Sequence, residues 1–272
     1  MWPIGVFDSG YGGLTILNKI RKQLPNYDYV YLGDNARSPY GTRSFDVVYK
    51  YTRESVQTLF ALGCNLVILA CNTASAKALR VIQQQNLPQL TEEKKVLGVV
   101  RPTAESIGDM TQTRHVWLLA TPGTVQSHAY DVEVQHFFPD VVLTSQACPM
   151  WVPLIENNQH HSPGAEYFIR DSLEKLLKAD PEIDTLILWC THYPLIQEQI
   201  QAIVGEQVKV VAQGEIVAKS LEDYLVRHPE VETWCSKGGT CRYLTTEAAE
   251  KFVSSASVFL EEEIQTECVD VW

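Results

Sequence analysis

Short apolar runs alternate with longer amphipathic stretches along this chain. The first three runs cover residues 4–8, 29–32 and 66–70. Branched and aromatic side chains dominate each run, and small or polar residues follow it, which is typical of buried parallel strands. Apolar residues between the runs recur at helical spacing, which predicts helices over about 14–24, from an N-cap at Ser44 onward, and over about 74–85.

The second half of the chain repeats this scheme. The run at 96–100 opens it, and the predicted strands that follow cover 116–120, 141–144 and 186–188. One more strand is predicted after about residue 208, and it precedes a helix over 216–225. The order of these elements, together with similar landmarks in each half, indicates an internal duplication.

Alternating strands and helices predict an α/β fold with parallel sheets covered by helices. We expect two similar parallel-sheet domains related by pseudo-symmetry. Residues 1–97 together with 208–272 would form the first domain, and residues 98–207 would form the second. Ligands of such folds bind at the carboxyl ends of the strands, so the active site is expected in the cleft between the domains.

The two halves each carry a cysteine directly after an apolar strand. Residues 66–73 read LVILACNT and residues 186–193 read LILWCTHY. Two equivalent thiols suit a reaction in which a proton leaves one side of an atom and returns from the other. Each thiol also precedes a segment that can begin a helix, whose N-terminal dipole lowers a thiol pKa below its usual value of about 8.5. Cys71 and Cys190 are therefore the candidate catalytic thiols.

The other cysteines and the glycine loop do not indicate a bound metal or nucleotide. Cys64 and Cys148 lie among apolar neighbours and are expected to be buried core residues. Cys235 and Cys241 lack the closer spacing and the second ligand pair typical of zinc sites. The loop at 10–13 does not match the dinucleotide-binding pattern. We therefore expect no metal and no nucleotide cofactor.

Four polar residues near the predicted strand ends have two interpretations each. Asp8 either caps the following helix or serves the site, and Asp34 either shapes a turn or supports the site. His192 is two residues from Cys190, where it can assist proton transfer or be structural. Glu156 follows an apolar stretch and is either a surface residue or a site carboxylate.

Composition narrows the class of protein. The chain has 272 residues, 45% of them hydrophobic, and a formal net charge of −11. This charge disfavours nucleic acids and anionic membranes as partners. Seven cysteines, with no basic or apolar signal segment at the N-terminus, predict a protein of the cytoplasm.

Together these motifs resemble the signatures of glutamate racemase, a member of the cofactor-independent aspartate/glutamate racemase superfamily. The matching segments are 6–14 (VFDSGYGGL), 33–41 (GDNARSPYG), 70–73 (ACNT), 121–124 (TPGT), 152–156 (VPLIE) and 190–194 (CTHYP). The resemblance implies inversion of the α-carbon of glutamate by two cysteines on opposite faces, without pyridoxal phosphate. It further implies a role in supplying D-glutamate for peptidoglycan and, since family members are often dimers, a homodimer.

The resemblance also implies a role for each matching residue. Cys71 would take the proton from D-glutamate, and Cys190 would act on L-glutamate. Asp8 and His192 would assist these thiols respectively, with Asp34 and Glu156 as supporting acids. The residues implied to hold the substrate are Asp8, Ser9, Tyr40, Gly41, Cys71, Asn72, Thr73, Thr121, Thr124, Cys190, Thr191 and His192.

Some positions depart from the family pattern, and alternatives stay open. Trp189 stands where the family usually has glycine, and Tyr11 replaces a smaller apolar residue, which leaves the pocket size near Cys190 open. One alternative is an aspartate or other amino-acid racemase of the same superfamily. Another is a one-cysteine decarboxylase, which the presence of both Cys71 and Cys190 disfavours. The third is a glutamate-binding protein without catalytic activity.

Overall fold

The structure, a computed structural model, describes residues 1–260 and 262–271. Positions 261 and 272, which belong to the predicted first domain, lie outside the described residues. Ten strands are present in the part of the chain that is described. They are β1 (Ile4–Asp8), β2 (Tyr29–Gly33), β3 (Leu66–Leu69), β4 (Lys95–Gly98), β5 (His115–Ala120), β6 (Val142–Ala147), β7 (Thr185–Trp189), β8 (Lys209–Ala212), β9 (Cys241–Thr245) and β10 (Thr266–Cys268).

Helices connect these strands. The α-helices of the described residues are α1 (Gly13–Gln23), α2 (Phe45–Ala61), α3 (Asn72–Val81), α4 (Val100–Ser106), α5 (Pro122–Ser127), α6 (Ala129–Phe137), α7 (Trp151–Glu156), α8 (Pro163–Ala179), α9 (Gln197–Val204), α10 (Gly214–Arg227), α11 (Pro229–Trp234) and α12 (Ala249–Ala256). A π-helical turn (Ile82–Asn86) extends α3, and short 3-10 helices cover Asn35–Arg37, Leu87–Gln89, Ile107–Asp109 and Tyr193–Ile196.

The strands form two sheets in which every pairing is parallel, which confirms the predicted fold class. The larger sheet has the order β10-β9-β2-β1-β3-β4, and the smaller has the order β6-β5-β7-β8. Four strands of the larger sheet, β2-β1-β3-β4, follow the same order as the whole smaller sheet. Strands β9 and β10 extend this repeated unit at one edge.

Sheet membership differs from the predicted division of the chain at two places. β4 pairs with β3 and so completes the larger sheet, although the run at 96–100 was expected to open the second half. β8 pairs with β7 in the smaller sheet, although residues from 208 onward were assigned to the first domain. In each four-stranded unit, the last strand pairs with the otherwise open edge of β3 or β7. The chain therefore returns to the larger sheet after β8, and the division into two domains itself stays a prediction.

The two sheets share a hydrophobic core. One contiguous cluster of buried side chains includes Ile68 of β3, Leu17 of α1 and Leu188 of β7. Helix α1 packs against α10, and the Thr15 hydroxyl of α1 donates to the carbonyl oxygen of Thr191 at 2.9 Å. These contacts fix the strand ends of one sheet against those of the other.

Among the described helices, none has both the length and the apolar composition that crossing a bilayer needs.

We predict that Leu188→Ala lowers the free energy of unfolding by about 2–5 kcal/mol, since it opens a cavity in the shared core. Leu188 is 1% exposed, whereas Leu177 on α8 is 38% exposed and provides the control Leu177→Ala. Urea unfolding followed by circular dichroism measures both. An equal loss of unfolding free energy in the two variants would contradict the conclusion that the shared core depends on β7.

Candidate active site

The carboxyl ends of β1, β3, β5 and β7 meet around one cavity of about 60 Å³. Both candidate thiols line it, Cys71 from the end of β3 and Cys190 from the end of β7. Eleven of the predicted site residues line this cavity. They are Ser9, Tyr40, Gly41, Cys71, Asn72, Thr73, Thr121, Glu156, Cys190, Thr191 and His192. Asp8, Asp34 and Thr124 are not among the lining residues and lie behind them.

Cys71 is the N-cap residue of α3. Its Sγ accepts a hydrogen bond from the Ala74 amide at 3.4 Å and lies 3.4 Å from the Ser9 hydroxyl. Burial, with Asp8 nearby, raises the pKa of the Cys71 thiol to about 12, although the Ser9 and Ala74 contacts oppose this rise. The expectation that the helix start lowers this pKa below its usual value is therefore wrong. Desolvation outweighs the two contacts.

Cys190 begins a chain of polar groups in the other half of the site. Its Sγ lies 3.8 Å from His192 Nδ1, and His192 Nε2 lies 2.9 Å from Glu156 Oε1. Burial alone would lower the pKa of His192, but hydrogen bonds with Cys190 and Glu156 raise it to about 10. His192 therefore carries a proton at neutral pH, between a thiol and a carboxylate.

Asp8 is fully buried at the end of β1. Its Oδ2 accepts a hydrogen bond from the Gly10 amide at 2.9 Å. Burial raises the pKa of Asp8, although attraction to His192 and the amides of Gly10 and Gly13 oppose the rise. Asp8 Oδ1 is buried and has no hydrogen-bond partner in the described structure. An unpartnered carboxylate oxygen beside a protonated thiol is a suitable proton acceptor.

Asp34 supports the cavity wall from behind. Its carboxylate accepts hydrogen bonds from the Tyr40 hydroxyl, from Arg37 at 2.7 Å and from Thr246 at 2.9 Å. Tyr40 reaches the cavity, so Asp34 acts on the site through the position of the tyrosine. The interpretation of Asp34 as only a turn residue does not account for these contacts.

Loops from the two halves meet closely at the cavity. The hydroxyl of Thr73 lies 2.8 Å from that of Thr121 and 3.3 Å from that of Thr124. The Gly123 amide donates to the carbonyl oxygen of Gly41 at 2.7 Å. Clustered hydroxyls at the start of α3 and α5 provide donors for a carboxylate.

Gly12 is held tightly between the halves. A Cβ there would lie 2.3 Å from Thr191 Oγ1 and 2.4 Å from His192 Nδ1. Such contacts are shorter than atoms tolerate, so only glycine fits without displacing the two neighbours of Cys190. This close approach explains why the glycine-rich loop follows β1.

The sequence did not identify part of the cavity wall. Cys148, expected to be a core residue, is buried but lines the cavity together with Pro149, Val152 and Pro153. One sequence signal could have identified Val152 as a lining residue. It lies four positions before Glu156, which places both residues on one face of α7. These residues form the part of the cavity wall beside His192 and Glu156.

The residues that depart from the family pattern do not fill the cavity. Trp189 stacks on Tyr130 with ring centroids 3.6 Å apart and is not a lining residue. Tyr11 packs against Phe252 and Phe259, and Phe259 contacts the edge of His192.

In residues 1–260 and 262–271, no group of three or more His, Cys, Asp or Glu side chains is arranged to hold a metal ion.

Comparisons with known proteins agree on one family. The family model for Asp/Glu/Hydantoin racemases matches residues 4–221. A glutamate racemase of Ruegeria sp. (strain TM1040) is 42% identical over 274 residues, which cover 97% of this chain and 98% of the relative.

Solved structures show the same similarity. A glutamate racemase of Bacillus anthracis superposes with a TM-score of 0.89 at 32% identity, over 99% of this chain and 97% of that one. A glutamate racemase of Francisella tularensis in complex with D-glutamate gives a TM-score of 0.86 at 33% identity, over 99% and 98%.

We predict that Glu156→Gln lowers the pKa of His192 from about 10 toward its usual value, because the variant removes a negative charge and a hydrogen-bond acceptor. NMR titration of the His192 ring protons measures this pKa. Glu166→Gln on α8, whose carboxylate pairs with exposed Arg170, is the matched control. A His192 pKa near 10 in Glu156→Gln would contradict this account.

Proposed function

We propose a two-cysteine mechanism for this chain, which belongs to the Asp/Glu/Hydantoin racemase family and, within it, to the glutamate racemases. Glutamate racemases are isomerases that interconvert the L- and D-enantiomers. In our proposal Cys71 and Cys190 face opposite sides of the α-carbon and act as proton acceptor and donor in turn. The observation that supports it is that two sulfurs from two different sheets line one small cavity.

Proton transfer balances between the two sulfurs. With D-glutamate, the Cys71 thiolate takes the α-proton, and the electron pair stays on the α-carbon. Cys190 then donates its proton to the opposite face, which gives L-glutamate and leaves a thiolate at Cys190. The reverse reaction exchanges these roles, so no oxidant, reductant or cofactor is consumed.

Each thiol has a neighbour suited to its ionisation. Asp8 can accept the Cys71 proton at its unpartnered oxygen, since burial favours the protonated carboxyl. The protonated imidazole of His192, 3.8 Å from Cys190, stabilises negative charge on that sulfur and can return a proton to it. Glu156 keeps this imidazole oriented and charged.

The substrate carboxylates would be bound without lysine or arginine. None of the described residues that line the cavity is a lysine or an arginine. Hydroxyls of Ser9, Thr73 and Thr121, and the amides at the start of α3, would supply the hydrogen bonds instead. Donors directed at the α-carboxylate also stabilise the charge that builds up as the α-proton leaves.

The same proposal gives a role in the cell. The enzyme would act in the cytoplasm as a homodimer and supply D-glutamate for peptidoglycan. The net charge of −11 disfavours a nucleic acid or an anionic membrane as a partner.

Racemisation of L-glutamate in D₂O tests the mechanism. We expect deuterium mainly in newly formed D-glutamate and little in recovered L-glutamate, because each sulfur serves one face. Cys71→Ala and Cys190→Ala should each abolish racemisation, whereas Cys64→Ala, a buried thiol outside the cavity, should keep it. Mass spectrometry of the separated enantiomers measures the label.

Two results would count against the proposal. Full activity in Cys71→Ala or Cys190→Ala would falsify the catalytic assignment. Faster turnover of L-aspartate than of L-glutamate would instead support the alternative substrate class.

We also expect a bell-shaped pH profile of kcat/KM. One sulfur must be ionised and the other protonated, so activity falls when both carry protons and when neither does. The pKa of His192 is raised to about 10, so its proton is present at neutral pH and lost as the pH rises through that value. This loss removes the positive charge that stabilises the Cys190 thiolate and lowers activity on the alkaline side. Steady-state rates measured from pH 6 to 11 test this, and a flat profile from pH 6 to 10 would contradict it.

A further inference from the structure

Asn72 follows Cys71 directly and is held at both ends of its side-chain amide. Its Nδ2 donates to Gln213 Oε1 at 2.8 Å, and its Oδ1 accepts from the Tyr130 hydroxyl. Gln213 Nε2 donates to the Tyr130 hydroxyl at 2.9 Å and to Thr103 Oγ1 at 2.8 Å. Asn72, Gln213 and Tyr130 therefore close a ring of hydrogen bonds, and each is at most 3% exposed.

Tyr130 also reaches the strand that carries the other thiol. Its ring stacks on Trp189, with centroids 3.6 Å apart and planes inclined by 16°. Trp189 is the last residue of β7 and directly precedes Cys190. One tyrosine of α6 thus contacts the residue after Cys71 through its hydroxyl and the residue before Cys190 through its ring.

The contacts cross between the two sheets. Asn72 begins α3, after a strand of the larger sheet, whereas Gln213 follows β8 and Trp189 ends β7 in the smaller sheet. A buried network whose members all have partners is rigid, because losing any partner leaves a polar group unsatisfied in a dry interior. This network therefore resists changes in the separation between the start of α3 and the end of β7.

We propose that Tyr130 is a positioning residue that sets the distance between Cys71 and Cys190, with Gln213 as its support. Neither Tyr130 nor Gln213 is among the residues that line the cavity. They act through Asn72 and Trp189, the chain neighbours of the two sulfurs. The inference rests on the proposed two-cysteine mechanism, since only a reaction with two bases depends on this distance.

Tyr130→Phe is the test variant, because it removes the hydroxyl and leaves the ring on Trp189. A displacement of about 1 Å at a reacting group can lower a rate by about 100-fold. We expect kcat to fall 10- to 100-fold, with a smaller change in KM. Tyr29→Phe is the matched control, since it removes another buried tyrosine hydroxyl, bonded at 2.8 Å to the Leu24 carbonyl oxygen far from the cavity.

The decisive measurement uses D-glutamate in D₂O. Loss of the α-proton signal by NMR is compared with inversion followed by optical rotation. When the second sulfur is misplaced, the carbanion left by Cys71 is reprotonated by the same sulfur after its hydrogen has exchanged with solvent. Tyr130→Phe should therefore raise the ratio of exchange to inversion several-fold. A variant that only lowers the folded fraction would reduce both rates equally.

A second variant keeps the inference open to contradiction if Tyr130→Phe folds poorly. Gln213→Met removes the other partner of Asn72 and should also raise the exchange-to-inversion ratio. A wild-type ratio in both folded variants would overturn the positioning role.

Cys71→Ala and Cys190→Ala, measured alongside, separate this result from a failure of the mechanism. Loss of inversion in both cysteine variants, with unchanged ratios in Tyr130→Phe and Gln213→Met, would reject the positioning role alone. Retained inversion in either cysteine variant would reject the two-cysteine mechanism and the inference with it.

Discussion

Burial is the constraint on which this site depends. A dry interior opposes charge on a thiol, yet removal of an α-proton requires a thiolate. At Cys71 burial prevails and raises the thiol pKa to about 12. The surrounding groups are arranged against that penalty. The start of α3 and the Ser9 hydroxyl face one sulfur, and the protonated His192 faces the other.

The fold makes this arrangement possible by repeating one unit. Four parallel strands in the order second, first, third, fourth appear in each sheet. In each repeat the third strand, β3 or β7, leads into a cysteine at its carboxyl end. Because the two units pack against each other through a shared core, both cysteines line one cavity. Such geometry suits a planar carbanion that exchanges a proton on either face.

The sequence predicted much of the fold and site because the relevant signals are local. The apolar runs ending at Cys71 and Cys190 predicted two strands and two thiols, and both thiols line the cavity. Sequence alone did not reveal that β8 completes the smaller sheet, because pairing is a property of neighbours distant in the chain. It also missed the cavity role of Cys148 and the contacts of Gln213 and Tyr130. Those side chains acquire their roles only through partners tens of residues away.

The hydrogen bond from the Gly123 amide to the Gly41 carbonyl oxygen joins the loops of the two halves through the main chain alone. A Cβ at Gly123 would lie 2.8 Å from this same carbonyl oxygen, so a side chain there would displace the acceptor. Any motion that parts these loops to admit or release a molecule must break it. A single bond of this kind contributes only about 1 kcal/mol net, so breaking it adds little to the cost of such a motion. The absence of a side chain at position 123 is therefore what allows the two loops to meet at this point.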